Sequence, residues 1–245
     1  MSTPSVVCGI DLGSASTPSY VAWLDDRTLR FDLYRATPER PLPDRPDGRT
    51  AAVYALDGPQ GLPADPGGGA RACRVADRMV HTPTQSLPTT ASGLRDLRLY
   101  GAFVRNAVAL FWRLHETGAA AVLGLRSDAA IASLPRPLVC ETWPRLVLRR
   151  LAGDGRTLPP KRSAPEAYAR AVWRLVQGQG LEAPGVLCPT VDQVDAALCA
   201  VAARAVAEGS AEALGLPPWP DPALAFLREG LIVVPPAPDG VRPRP

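Results

Sequence analysis

Apolar and polar positions in the first 57 residues fall into four short runs separated by turn residues. Val6 to Leu12 is nearly continuous in apolar residues, as in a strand buried on both faces. "YVAWL" (20–24) follows a turn of small residues. In "LRFDLY" (29–34), Leu29, Phe31 and Leu33 alternate with Arg30, Asp32 and Tyr34, the pattern of a strand with one wet face. A proline-rich connection (37–49) leads to a further apolar strand, "TAAVYALD" (50–57), and the whole reads as a β-meander. "GPQGLPADPGGG" after it is a loop.

The period then changes. "RACRVADRMVH" (71–81) predicts a helix with Arg71, Arg74 and Arg78 on one face. Residues 94 to 116 predict one long amphipathic helix. "PLVCETWP" (137–144) is a short apolar stretch carrying Glu141, followed by helices over 145–151 and 165–177. "TVDQVDAALCAVAARAVAEG" (190–209) is an alanine-rich helix, apolar on nearly all sides, that must pack closely against a sheet. Asp192 and Asp195 share one face of its opening turns. "EGLIVVP" (229–235) predicts an edge strand. The predicted architecture is α/β, a mixed five- or six-stranded sheet with helices packed on it. Residues 1–236 form one domain with a helical insertion at about 70–117, and 237–245 form a flexible Pro/Arg tail.

Composition narrows the class without naming a function. The chain has 245 residues, 46% of them hydrophobic, which suits a globular domain with a full core. No apolar run is long enough to span a bilayer and no leader pattern is visible, so the expected place is the cytoplasm, with no membrane partner. Five scattered cysteines, without a CxxC pair, point away from a disulfide framework or a structural zinc site. Net charge is only +3, which leaves room for a small or structured nucleic acid, or for a protein partner, rather than tight nonspecific binding of long duplex. Among 27 basic residues Lys161 is the one lysine, and Asn106 is the one asparagine.

The chemistry lies in the acids. Asp11, Asp57 and Glu141 each end an apolar strand, and Asp192 and Asp195 open the buried helix. Strands ending on one side of a sheet gather such acids at its carboxyl edge. Carboxylates held close together raise one another's pKa, and a divalent cation resolves the repulsion. Hard oxygen donors suit Mg2+ or Mn2+, and such ions serve phosphodiester cleavage. Structural readings stand beside this one. Asp11 and Asp57 each precede glycine and suit turns, Asp192 suits a helix cap, Glu141 suits an i,i+4 pair with Arg145, and the arginine stripe suits a solvated face.

"GIDLG" (9–13), "ALDGPQGLP" (55–63), "ETWPR" (141–145), Lys161, "DQVDAALCA" (192–200) and "EGLIVVP" (229–235) occur in order over almost the whole chain. In this the chain resembles the DUF429 family of predicted nucleases, and more broadly the ribonuclease H-like superfamily. The resemblance implies a ribonuclease H-like sheet and a metal-dependent nuclease. It implies Asp11, Asp57 and Asp195 as metal ligands, with Asp192 or Glu141 as a further ligand or general base. Lys161 would hold the scissile phosphate, and Arg71, Arg74 and Arg78 would contact the nucleic-acid backbone. "GIDLGSAS" (9–16) also resembles the first phosphate loop of actin-like ATPases and sugar kinases, which implies a phosphotransferase. A third possibility is a non-catalytic nucleic-acid-binding or scaffold protein of the same fold.

Overall fold

The computed structural model describes residues 6–237, apart from 46, 65–68, 84, 85, 99, 126–136 and 154–156. The expected tail at 238–245 lies outside the described residues. The chain opens with β1 (Val7–Asp11), β2 (Ser19–Asp25), β3 (Thr28–Tyr34) and β4 (Val53–Asp57). There follow β5 (Arg71–Ala72), α1 (Val75–Val80), β6 (Leu87–Pro88), α2 (Ala91–Asp96) and α3 (Gly101–Thr117). Then come β7 (Ala121–Val122), β8 (Leu138–Thr142), α4 (Pro144–Ala152), α5 (Pro165–Gly178) and α6 (Val191–Ala207). β9 (Glu212–Asp221) and β10 (Phe226–Val234) close the described chain.

The main sheet runs β3-β2-β1-β4-β8-β10-β9, with short β7 on β8. β1, β2 and β3 form the antiparallel meander, whereas β1, β4, β8 and β10 run parallel. This is a mixed α/β sheet of eight strands among the described residues, two or three more than the sequence suggested. The main addition is β9, "EALGLPPWPD", whose Pro217, Pro218 and Pro220 read as a loop. They are tolerated because β9 is an edge strand. β10, expected at the edge, therefore lies inside, between β8 and β9.

Side-chain alternation divides the core in two. Val7, Val53, Ala55 and Cys140 join α4, α5 and α6 on one face of the sheet. Ile10, Tyr54, Leu56 and Val139 join α3 on the other. The close approach of α6 depends on its alanines and on Gly9: a Cβ at Gly9 would lie 2.1 Å from the Ala200 nitrogen and 2.2 Å from the Ala196 oxygen. That contact sets the height of α6 over β1, and with it the position of Asp195, one residue before Ala196.

Two helical expectations change. Residues 71–81 are not one helix: Arg71 lies on β5, Arg74 is the N-cap of α1, and Arg78 lies within α1. The three arginines therefore share no helix face. Residues 94–116 are split into α2 and α3, with Tyr100 turned to φ 57° as the N-cap of α3.

Candidate functional site

Parallel pairing of β1 and β4 sets Asp11 directly beside Asp57. Strand alternation places both on the α6 face, in phase with Gly9 and Ala55. Burial and then the neighbouring Asp57, Asp195 and Asp192 hold the Asp11 carboxyl well above its ordinary range, with Lys161 pulling the other way. Burial and Asp195 push Asp57 up to about 8, again against Lys161. Asp195 is 5% exposed. Its Oδ2 accepts from Lys161 Nζ at 2.5 Å, while its Oδ1 is buried without a hydrogen-bond partner. Burial raises the Asp195 carboxyl too, although Lys161 offsets part of this. Burial works to lower the Lys161 ammonium, and Asp195 and Asp11 outweigh it, so the lysine is held charged.

Asp192 stays one turn earlier on α6 and does not cap it. Thr190 does: its side chain accepts from the Gln193 N–H at 3.2 Å, and Gln193 Oε1 accepts from the Thr190 N–H at 2.8 Å.

Glu141 does not join the aspartates. On β8 it is Thr142 that pairs with Asp57, and Glu141 pairs with Leu56, so Glu141 points to the opposite face. There it accepts from Arg74 Nη2 (2.6 Å) and Nη1 (2.7 Å) and from the Gln60 N–H (2.6 Å). Both oxygens are committed, and Arg74, not Arg145, is the partner. Arg74 is 1% exposed and also holds Asp77, through Nε at 2.7 Å and Nη2 at 3.0 Å. A buried guanidinium between two carboxylates is no free phosphate contact. Arg71 bonds Ser86, and Arg78 Nη2 reaches the Cys73 carbonyl at 3.5 Å. Glu229, at φ 57°, accepts from the Ala64 and Val75 N–H groups, both at 2.9 Å, and so fastens the stretch that carries Gln60 and Arg74.

A cavity of about 610 Å3 opens over the carboxyl ends of β1, β4 and β8. Asp11, Asp57 and Lys161 line one part of it, Glu141, Arg74 and Asp77 another, and Tyr100, Phe103 and Trp143 the rim. The loop after β1 also lines it, through Gly13, Ser14 and Thr17. Four of its amides meet hydroxyls: Gly13 N–H donates to Ser19 Oγ at the start of β2, Ser14 N–H to Thr17 Oγ1, and the Ser16 and Thr17 N–H groups to Ser14 Oγ. Asn106, on α3, donates to the Gly13 and Ala36 carbonyls at 3.1 Å and ties this loop to the helix. Sequence reasoning missed Thr142, Arg98, Tyr100 and Trp143. Thr142 was reachable from the phase of Asp57, whereas no pattern marked Tyr100.

The donors fit a hard divalent cation: clustered anionic oxygens, mutually repelling, one of them buried and unpaired. Among the described residues no group of three or more histidines, cysteines, aspartates or glutamates stands ready to hold a metal ion. Lys161 occupies one Asp195 oxygen, Oδ2, and leaves Oδ1 without a hydrogen bond among the described residues.

Fold and site together define an α/β protein with a carboxylate-floored cavity at the C-terminal edge of its parallel strands. The family described as "Protein of unknown function (DUF429)" matches residues 9–219, and the chain belongs to it. No curated protein and no solved structure matches the chain. No helix among the described residues is long and apolar enough to cross a membrane.

Proposed function

We propose that the protein is a cytoplasmic, metal-dependent nuclease that hydrolyses phosphodiester bonds of a nucleic acid. The observation that carries this reading is the in-register pair Asp11 and Asp57 on a cavity floor, with Asp195 of α6 near enough to raise both carboxyls. The strand order, an antiparallel meander followed by parallel β4 and β8, supports a ribonuclease H-like plan.

Asp11, Asp57 and Asp195 would hold Mg2+ or Mn2+, which when bound supplies the Lewis acidity that phosphodiester hydrolysis needs. The chain's own residues do the rest. Lys161, on the cavity wall, sets positive charge where phosphate oxygens would lie. Glu141, at the end of β8, has both oxygens engaged by Arg74 and the Gln60 N–H. The phosphotransferase reading needs free amides in the 13–17 loop to bind phosphate, and those of Gly13, Ser14, Ser16 and Thr17 are bonded to side-chain hydroxyls.

The test is cleavage of labelled single-stranded, duplex and branched DNA and RNA with Mg2+, Mn2+ or EDTA. Metal-dependent cutting that Asp11→Asn and Asp195→Asn both abolish is expected. Cutting that survives both substitutions would overturn the site, and absence of any cutting or metal binding would favour the scaffold reading.

A further inference from the structure

The cavity does not end at its rim. A second concavity of about 520 Å3 lies on the other side of Tyr100 and shares Pro83, Arg98 and Tyr100 with the first. Arg71 also lines it. The two depressions therefore adjoin at Pro83, Arg98 and Tyr100, with the Asp11/Asp57 floor in one and Arg71 in the other.

Tyr100 is an unusual residue for such a place. A tyrosine at φ 57° sits in left-handed backbone that non-glycine residues rarely adopt. Its carbonyl accepts the first α3 bond, from the Val104 N–H at 2.9 Å, but its side chain makes no cap. The ring is 48% exposed, one of the few large apolar surfaces left open. Strain kept at a cavity mouth, with a ring turned outward, is the pattern of a binding residue.

Resting on the nuclease reading, we propose that these adjoining depressions bind a single strand of at least two unpaired nucleotides, one on each side of Tyr100, with Arg98 and Arg71 on its phosphates. Three physical points carry it. Each depression falls in the size range of small-molecule pockets, which suits one or two nucleotides at a time rather than an extended duplex face. Aromatic rings take any base by stacking, without sequence preference. Duplex binding draws on an extended basic surface. Here Arg74 is buried and neutralised by Glu141 and Asp77, which leaves Arg71, Arg98 and Lys161 to line the two depressions. The strand can be a free short oligonucleotide or the unpaired end of a longer duplex.

The experiment is fluorescence anisotropy of a labelled five-nucleotide single strand on the Asp11→Asn protein with Mg2+, so that no turnover intervenes. Competitors are an unlabelled dinucleotide, a blunt duplex and the same duplex with an overhang. The single strand should bind, the blunt duplex should compete at least tenfold more weakly, and competition by the dinucleotide or by the overhang identifies the source. Tyr100→Asn keeps a residue that tolerates the left-handed turn and removes the ring. It should weaken binding about tenfold, and Tyr100→Phe should restore it. Arg71→Ala should lower the salt dependence by about one phosphate contact. Equal competition by blunt duplex, unchanged affinity in a Tyr100→Asn protein of normal melting temperature, or no binding of any strand would overturn the proposal. Tyr100-dependent binding by a wild type that cuts nothing would sink the nuclease reading alone, and efficient cutting of blunt duplex would sink this one alone.

Discussion

The clearest energetic consequence of the site is that, without metal, Asp57 destabilises the fold at alkaline pH. Its carboxyl rises from the ordinary 3.8 to about 8. An acid with a higher pKa folded than unfolded binds more protons in the folded state between those values. Stability therefore falls as pH rises from about 4 to about 8, and is flat beyond. Each pH unit is worth about 1.4 kcal/mol, so full desolvation would cost about 5–6 kcal/mol. Asp57 keeps some surface on the cavity, and water there screens the penalty to about 3 kcal/mol. At 2–4 °C per kcal/mol for a chain of this length, that is about 6–12 °C in melting temperature. Asp57→Asn should thus melt about 6–12 °C above wild type at pH 8.5 in EDTA, and the gap should close towards pH 4. Added Mn2+ should raise wild type and not the variant. Differential scanning fluorimetry over pH 4–9 measures both. A variant that melts below wild type at pH 8.5, or a gap independent of pH, would refute the coupling of these carboxylates.

Other substitutions test separate parts of the arrangement. Lys161→Ala should tighten Mn2+ binding several-fold in titration calorimetry, and the gain should vanish in an Asp195→Asn background, because the ammonium and the ion compete for the same carboxylate. Arg74→Met leaves Glu141 and Asp77 buried without their cation and should cost about 3–5 kcal/mol, read as a melting temperature lower by about 10 °C or more; a loss below about 1 kcal/mol would show that the network is not needed. Gly9→Ala drives a methyl group into the α6 backbone and should cost more than about 4 kcal/mol in urea denaturation, among the largest effects of any single substitution here.

The sequence made much of this visible where a single strand or helix carried its own signal. β1 to β4 followed from apolar runs and from the alternation of Leu29, Phe31 and Leu33, and α6 from a stretch of alanines that only a buried helix can use. Asp11, Asp57 and Asp195 were visible because each breaks an apolar pattern. What stayed hidden depends on pairing between segments far apart. Glu141 also ends an apolar strand, yet the β4–β8 register shifts it by one residue, and with a side-chain period of two that sends it to the other face. The arginine stripe at 71, 74 and 78 had helical spacing, but Arg74 is turned inside to Glu141 and Asp77 and caps a helix that starts only at Val75. The long helix over 94–116 broke at Tyr100 because a tyrosine in left-handed backbone leaves no trace in hydrophobic spacing.

The two acid clusters at this sheet edge show why one of them reads as functional. Glu141 and Asp77 face Arg74, with further donors from Gln60 and Thr82, so every carboxylate oxygen there has a partner. That is how a fold stabilises buried charge when structure is the only requirement. On the opposite face Asp11, Asp57, Asp192 and Asp195 act on one another's charge, and among the described residues Lys161 is the cation bonded to them and Asp195 Oδ1 has no hydrogen-bond partner. Each of these acids is pushed up or pushes its neighbours up. The same strands that supply a guanidinium on one face leave the deficit standing on the other, a few residues away. A sequence able to neutralise one cluster fully and leaving the next short of cation keeps that shortage for something that binds there, and the most economical occupant by charge and by donor chemistry is a divalent ion.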